Sequence, residues 1–289
     1  MRYRLDERKW RELQRSCKTI TKAEVINRGL KSYTIPDQYY FIGNKAFQNM
    51  AKLKKIDFPR ECRIIGRRAF ENCRLSGELI LPESLQVLQE GAFIRNENLL
   101  RVTFCSNIKV LEKNAFKECR NLRTAVFDKA AMLTVIDECA FDSCTELAEI
   151  RLPQNIRQIG RRAFYRCKRL THIEFPKTLR TIGTEAFYFN GFETLELPPN
   201  LIELEESAFF KCTMLKEVKI PPSVKRIGKW VFHGCNRLQT IEILHEPEFI
   251  GDWIVNRSAT IRCRRGGKME DYCRKFGFKA EFVDEGEEE

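Results

Sequence analysis

Residues 144–164 read CTELAEIRLPQNIRQIGRRAF and residues 167–187 read CKRLTHIEFPKTLRTIGTEAF, two near-copies set 23 residues apart. Outward from this pair, a small residue followed by Phe recurs at Ala46-Phe47, Ala69-Phe70, Ala92-Phe93, Ala115-Phe116, Ala140-Phe141, Ala163-Phe164, Ala186-Phe187, Ala208-Phe209 and Val231-Phe232, at intervals of 22 to 25 residues. Five residues before each Phe the chain is always Ile or Leu, from Ile42 to Ile227; eight before, it is always apolar, from Tyr39 to Val224. Three positions held in one phase mark a structural period and not a chance similarity. Between successive Phe residues lies a Leu, then an apolar-polar-apolar triplet closed by Pro, complete at residues 147–153, 170–176 and 215–221. That alternation is the pattern of a short strand with one buried face.

A unit of this length with one such strand cannot bury its own apolar residues. Each turn must therefore stack on the next and share a continuous core. The strands are then expected to form one parallel sheet, roughly 50 Å long for ten turns at about 4.8 Å per strand.

The composite C-x-x-L-x-x-I-x-L-P-x-x-[LI]-x-x-I-G-x-x-A-F, carried by Cys144 to Phe164 and Cys167 to Phe187, resembles the BspA-like, or Treponema-type, leucine-rich repeat family over about residues 20–262. The resemblance implies an α/β solenoid: a right-handed leucine-rich-repeat superhelix with a parallel concave β-sheet and short helical or irregular convex segments, the A-F stretch among them. It also implies a bacterial scaffold that serves as an adhesion or interaction surface. Cys105 and Asp128 depart from the pattern by standing where other repeats have Pro, and two extra residues near Lys129 to Met132 read as a local bulge in a loop.

The end turns of a solenoid would expose core, so atypical caps are expected. Upstream, Leu30, Tyr33, Ile35 and Pro36 keep the strand pattern of a degenerate first turn. Before it, Leu5, Trp10, Leu13 and Cys17 fall at nearly helical spacing behind Asp6, a candidate N-cap, and predict a capping helix over residues 1–19. The alternative is a basic amphipathic helix that docks on a membrane or partner, since residues 1–18 hold seven Arg or Lys against three acids. Downstream, residues 250–255 echo residues 227–232 as one decayed turn. A C-terminal cap over residues 263–283 follows: a helix from Lys268 to Lys275 stopped by Gly277, then a closing strand from Phe278 to Val283. Residues 284–289 form an acidic tail expected to be disordered.

The net charge is +11, or +16 once the five acids of the tail are set aside. Such a balance raises the prospect of an anionic partner. Residues 1–18 hold no apolar core of the kind a secretory signal needs, and no run is long enough for a transmembrane helix. Six of the twelve cysteines, Cys73, Cys119, Cys144, Cys167, Cys212 and Cys235, stand three residues after the Phe, a position shared with Asn96 and Asn190. Asn and Cys can both donate a hydrogen bond to backbone buried between coils, Asn strongly and a thiol weakly, so these thiols read as structural. Cys62 and Cys139 also fall within the repeat. Cys263 and Cys273 could pair across the C-terminal cap, although two reduced thiols are the plainer reading. So many free thiols, with no leader, predict a cytoplasmic protein; a cell-surface or secreted location would follow if a leader had been removed.

No C-x-x-C, H-E-x-x-H, G-x-S-x-G or phosphate-loop motif occurs, and His172, His233 and His245 lie in different turns. Neither catalysis nor a metal or cofactor is expected. The residues flanking the buried strand position should tile the concave face; they include seven acids and four bases, which argues against a nucleic-acid groove. Arg101, Glu149, Arg151, His172, Glu174, Glu196 and Lys219 are the expected contacts for a protein partner on that sheet. Seven residues before the Phe, Arg63, Lys109, Arg157, Arg180 and Lys225 form a basic flank, reinforced by Arg67, Arg68, Arg161, Arg162 and Lys229. The flank is either a solvated face or a docking stripe for an acidic partner, nucleic acid or anionic glycan. A monomer without membrane insertion is expected.

Overall fold

Most repeats form two short strands, not one, in the computed structural model, which describes residues 18–105, 107–128 and 130–283. The first set comes from the alternating triplets: Ser32–Thr34, Lys55–Asp57, Gly77–Ile80, Leu99–Phe104, Thr124–Phe127, Glu149–Arg151, Glu217–Lys219, Thr240–Glu242 and Thr260–Cys263. The second set consists of eleven two-residue strands, from Thr19–Ile20 and Phe41–Ile42 through Gln158–Ile159 to Phe249–Ile250. Every pairing is parallel and joins equivalent residues of neighbouring coils, as in Ala125 with Ile150 and Ile159 with Ile182. The chain is thus a parallel-strand solenoid of eleven short-strand turns among the described residues.

The second ladder corrects the expectation of a single sheet. It arises because the apolar residue five before each Phe must point inward, which leaves its neighbour extended and free to pair along the stack. The long-strand sheet, for its part, is interrupted twice: Lys55–Asp57 does not pair with Gly77–Ile80, and residues 172–174 and 194–196 form no strand, so the ladder breaks again between Glu149–Arg151 and Glu217–Lys219. The second break coincides with the repeat shortened to 22 residues, where Phe192 stands fully buried in place of the usual Leu, against Phe187 at 5.5 Å and Phe209 at 6.0 Å. Ile173 and Leu195 remain buried there, so the core continues where the hydrogen bonds lapse.

The recurring Phe residues form the axis of the core. Phe47, Phe70, Phe93, Phe116, Phe141, Phe164, Phe187, Phe209 and Phe232 are all fully buried. Successive rings stack with centroids 4.9 to 5.8 Å apart and planes within 13° of parallel. A file of rings at this spacing adds offset-stacking attraction to the gain from burial.

The A-F segments are not helical, contrary to one of the two forms the resemblance implies for them. Each is a pair of hydrogen-bonded turns whose alternate N–H groups reach the next coil: Arg162 to Thr184 at 2.9 Å, Phe164 to Ala186 at 2.8 Å and Arg166 to Tyr188 at 2.8 Å. To aim those donors along the stack, the residues two before and two after the Phe take left-handed dihedrals, φ 53° at Arg162 and 59° at Arg166. Among the described residues seventeen non-glycine residues sit at positive φ, a conformation costing an L-residue roughly 1–2 kcal/mol; the cross-coil bonds offset that cost because an unpaired buried N–H would be worse.

One helix, α1, is formed among the described residues, over Lys268–Phe276, and Gly277 ends it with φ 69° as the glycine stop requires. The strand Lys279–Phe282 then pairs with Thr260–Cys263 and closes the long-strand sheet. Lys18 is not helical and Thr19 and Ile20 are strand residues; the rest of the capping helix expected over 1–19, residues 1–17, and the acidic tail 284–289 lie outside the described residues.

Candidate protein-interaction surface

Along each long strand the central residue is buried and its neighbours face outward, so the seven residues expected to meet a partner fall on one side of the solenoid. Arg101, Glu149, Arg151, His172, Glu174, Glu196 and Lys219 are all exposed. The electrostatics of this face are uneven. Lys55 pairs with Asp57 at 3.1 Å, Arg101 with Glu78 at 3.2 Å, Arg151 with Glu149 at 3.4 Å and Lys219 with Glu242 at 3.5 Å. All four bases of the face are thereby neutralised by its own acids. Glu174, Glu196 and Glu217 hold no ion pair among the described residues, and Glu174 and Glu196 occupy equivalent positions in consecutive repeats.

The basic flank is less continuous than its residue types suggested. Arg63, Lys109, Arg157, Arg180 and Lys225 are exposed, but Gln86, Thr134 and Ile202 interrupt their column. Arg63 lies 3.9 Å from Glu61, Lys225 pairs with Glu248 at 2.8 Å, and Arg180 donates to the carbonyl of Asn200 at 2.9 Å. Among the reinforcing bases, Arg161 pairs with Glu138 at 3.3 Å, Arg162 with Glu185 at 3.4 Å and Lys229 with Glu206 at 3.4 Å.

The cysteine column does what its exchange with Asn implied. The thiols of Cys73, Cys119, Cys144, Cys167, Cys212 and Cys235 each donate to the carbonyl of a core Phe one coil back, at 3.1 to 3.3 Å. Asn96 makes the same contact to Phe70 at 2.8 Å. Burial pushes Cys73 and Cys119 up to about 12, which keeps them as thiols. Cys263 and Cys273 are likewise buried free thiols. The three histidines stay apart: His172 is exposed on the long-strand face, His233 tilts against Phe210, and Nε2 of His245 lies 2.7 Å from the Val224 carbonyl. Among the described residues no cluster of His, Cys, Asp or Glu could hold a metal ion, and no helix is long and apolar enough to cross a membrane.

One feature was missed from sequence. The residue after the Phe is aromatic in three consecutive repeats, Tyr165, Tyr188 and Phe210, followed by His233. Their half-exposed rings stack along the outer turns, at 4.7 Å from Tyr165 to Tyr188, 5.3 Å to Phe210 and 5.8 Å to His233.

With this geometry in place, the chain belongs to the BspA type leucine-rich repeat family, whose model matches residues 18–148 and 134–262. Leucine-rich-repeat proteins are typically non-enzymatic scaffolds for protein interaction or adhesion. Among solved structures, the fold is similar to a leucine-rich repeat protein from Bacteroides ovatus ATCC 8483, with 21% identity, 89% of this chain and 85% of that chain covered, and a TM-score of 0.50. A leucine rich cell surface protein from Faecalibacterium prausnitzii A2-165 is also similar, with 22% identity, 89% and 80% coverage and a TM-score of 0.44. So is the leucine-rich repeat protein of T. pallidum, with 20% identity, 89% and 88% coverage and a TM-score of 0.39. No curated protein matches the chain.

Proposed function

We propose that the chain is a protein-interaction scaffold that docks a basic partner on the long-strand side of its middle coils. The observation carrying this reading is the imbalance just described: the cations of that face are spoken for, while Glu174, Glu196 and Glu217 are exposed without a counter-charge. Free carboxylates at equivalent positions of consecutive coils favour encounter with a cationic partner and fix its register. The family background, an array of stacked repeats presenting a long face, supports the same class of function. The basic flank supports a polyanion ligand less well, because its column is interrupted and its members hold carboxylates or carbonyls of their own. Six buried thiols acting as backbone donors support residence in a reducing compartment such as the cytoplasm.

The test compares wild-type protein with E174K/E196K in partner capture from the native cells, followed by affinity measurement on the captured protein. The reading expects a basic partner whose affinity falls at least about tenfold in the variant, the equivalent of one lost interaction of about 1.4 kcal/mol. Alanine at Arg151, His172 and Glu174 should weaken it too. Unchanged affinity in both variants would dismiss this face.

A further inference from the structure

The outer turns of the C-terminal half break the rule that the N-terminal half obeys. In the first repeats, the two positions after the Phe are tied across coils by polar pairs: Gln48 to Glu71 at 2.6 Å, Asn72 to Asn49 at 2.9 Å, Arg95 to Glu118 at 2.9 Å and Lys117 to Asp142 at 3.4 Å. From Tyr165 onward the same positions carry aromatic rings and cations, Gly234 and Asn256 apart, and no acid appears at either of them through Arg257. Arg166, Lys168 and Lys211 hold no carboxylate among the described residues; each lies over a ring instead, at 5.2 Å from Tyr165, 5.1 Å from Phe189 and 5.5 Å from Phe210. The repeat itself does not require this. Gln48 and Glu71 close the same site in the same fold with a hydrogen bond, so the rings are an addition to the solenoid and not a condition of it.

The geometry points to a second interaction surface, the ridge of Tyr165, Tyr188, Phe210 and His233 with its flanking cations, which takes an acidic protein segment bearing apolar or aromatic side chains. Charge selects the occupant: three cations without carboxylates invite Asp and Glu, while half-exposed ring edges offer an apolar strip to whatever lies between them. Ring geometry argues against single-stranded nucleic acid. The ring faces of Tyr165, Tyr188 and Phe210 are covered by the next ring or by a guanidinium, Arg162 at 3.9 Å from the Tyr165 centroid, so bases find edges where they would need faces on which to stack. The surface is distinct from the long-strand face of the proposed function, since it lies in the turns after the core Phe.

The test titrates the full chain with three fluorescent probes: a random Glu/Tyr copolymer, poly-glutamate of equal length, and a single-stranded oligonucleotide. The copolymer is expected to bind at least about tenfold more tightly than either of the others. Y188Q/F210Q, which places the residue of Gln48 at two ridge positions, should abolish that preference, and R166E/K211E should weaken copolymer binding about tenfold while flattening its salt dependence. The melting temperature of each variant establishes that it is folded, and the two variants remove different chemistry. Y188Q/F210Q, which changes no charge, should leave the affinity of the partner captured on the long-strand face unchanged, which separates failure here from failure of the long-strand reading. Tighter binding of the oligonucleotide, equal binding of poly-glutamate, no binding of the copolymer, or full binding by both ridge variants would overturn the proposal.

Discussion

Glu112 stands at the position before the A-F turn that is Gly in five other repeats, Gly43, Gly66, Gly160, Gly183 and Gly228, and its side chain reaches the preceding coil to accept the Glu90 N–H at 3.0 Å. Burial pushes its carboxyl above the ordinary range, and the like charges of Asp137 and Glu90 push the same way, against the hydrogen bond that favours the ionised form. A carboxyl raised in the fold contributes its full stability below the unfolded value and loses it as pH rises through the folded value. Glu112→Gln keeps the acceptor and removes the charge. It should therefore raise the melting temperature at neutral pH, by a margin that shrinks to nothing as pH falls below 4.5. Parallel melting curves from pH 4 to 7 check this, and a margin independent of pH would show that Glu112 ionises without penalty. The buried thiols give a second expectation at this scale. With Cys73 and Cys119 held near 12, thiol reagents at neutral pH should label these two residues of the folded chain slowly and at the rate of opening, then rapidly in denaturant. Fast labelling of the native chain at Cys73 or Cys119 would contradict the burial.

The C-terminal cap shows how an element ends a stack. In an interior coil the N–H before the Phe bonds directly to the carbonyl three residues earlier, as Ala163 does to Gly160 at 3.2 Å. In the last coil the hydroxyl of Tyr272, on α1, inserts between the corresponding groups, accepting from Ile254 at 3.1 Å and donating to Gly251 at 3.0 Å. Tyr272→Phe would leave both buried groups unpaired, at a cost of about 1–3 kcal/mol; denaturant unfolding that finds no loss would mean the turn re-closes on itself. The cap's helix, its glycine stop and its closing strand were legible in the sequence, because an apolar pattern and a terminal Gly act locally. The role shared by Cys119 and Asn96 was legible for another reason: two chemically different residues exchanging at one repeat position have only donation to backbone in common. The two-residue ladder was not legible, since two residues carry no period. Nor were the left-handed turns, because Arg162, Glu185 and Trp230 have no intrinsic preference for positive φ; the cross-coil hydrogen bonds impose it. The aromatic ridge left a visible trace, rings after the core Phe in three successive repeats, but attention to constant positions passes over a column that changes character halfway along the chain.

At the scale of the molecule, each coil touches only its neighbours, so stability is close to a sum of coil and interface contributions. The Phe file is the part of every interface that repeats without exception from Phe47 to Phe232. Phe164 stands in the interior of the file, stacked on Phe141 at 5.4 Å and on Phe187 at 5.2 Å. Removing its ring weakens two interfaces at once, whereas removing the Phe47 ring touches only the edge of the stack. Phe164→Ala should cost about 3–5 kcal/mol and, more tellingly, uncouple the halves, so that denaturant unfolding splits into two transitions. With Trp10 replaced by Phe throughout, Trp230 and Trp253, which sit in the last coils, report the C-terminal half by fluorescence, while far-ultraviolet circular dichroism reports the whole. The two probes should diverge for Phe164→Ala and coincide for Phe47→Ala. Coincident curves in both variants would mean that the strand ladders carry the coupling, and that the ring file fills the core without joining one coil to the next.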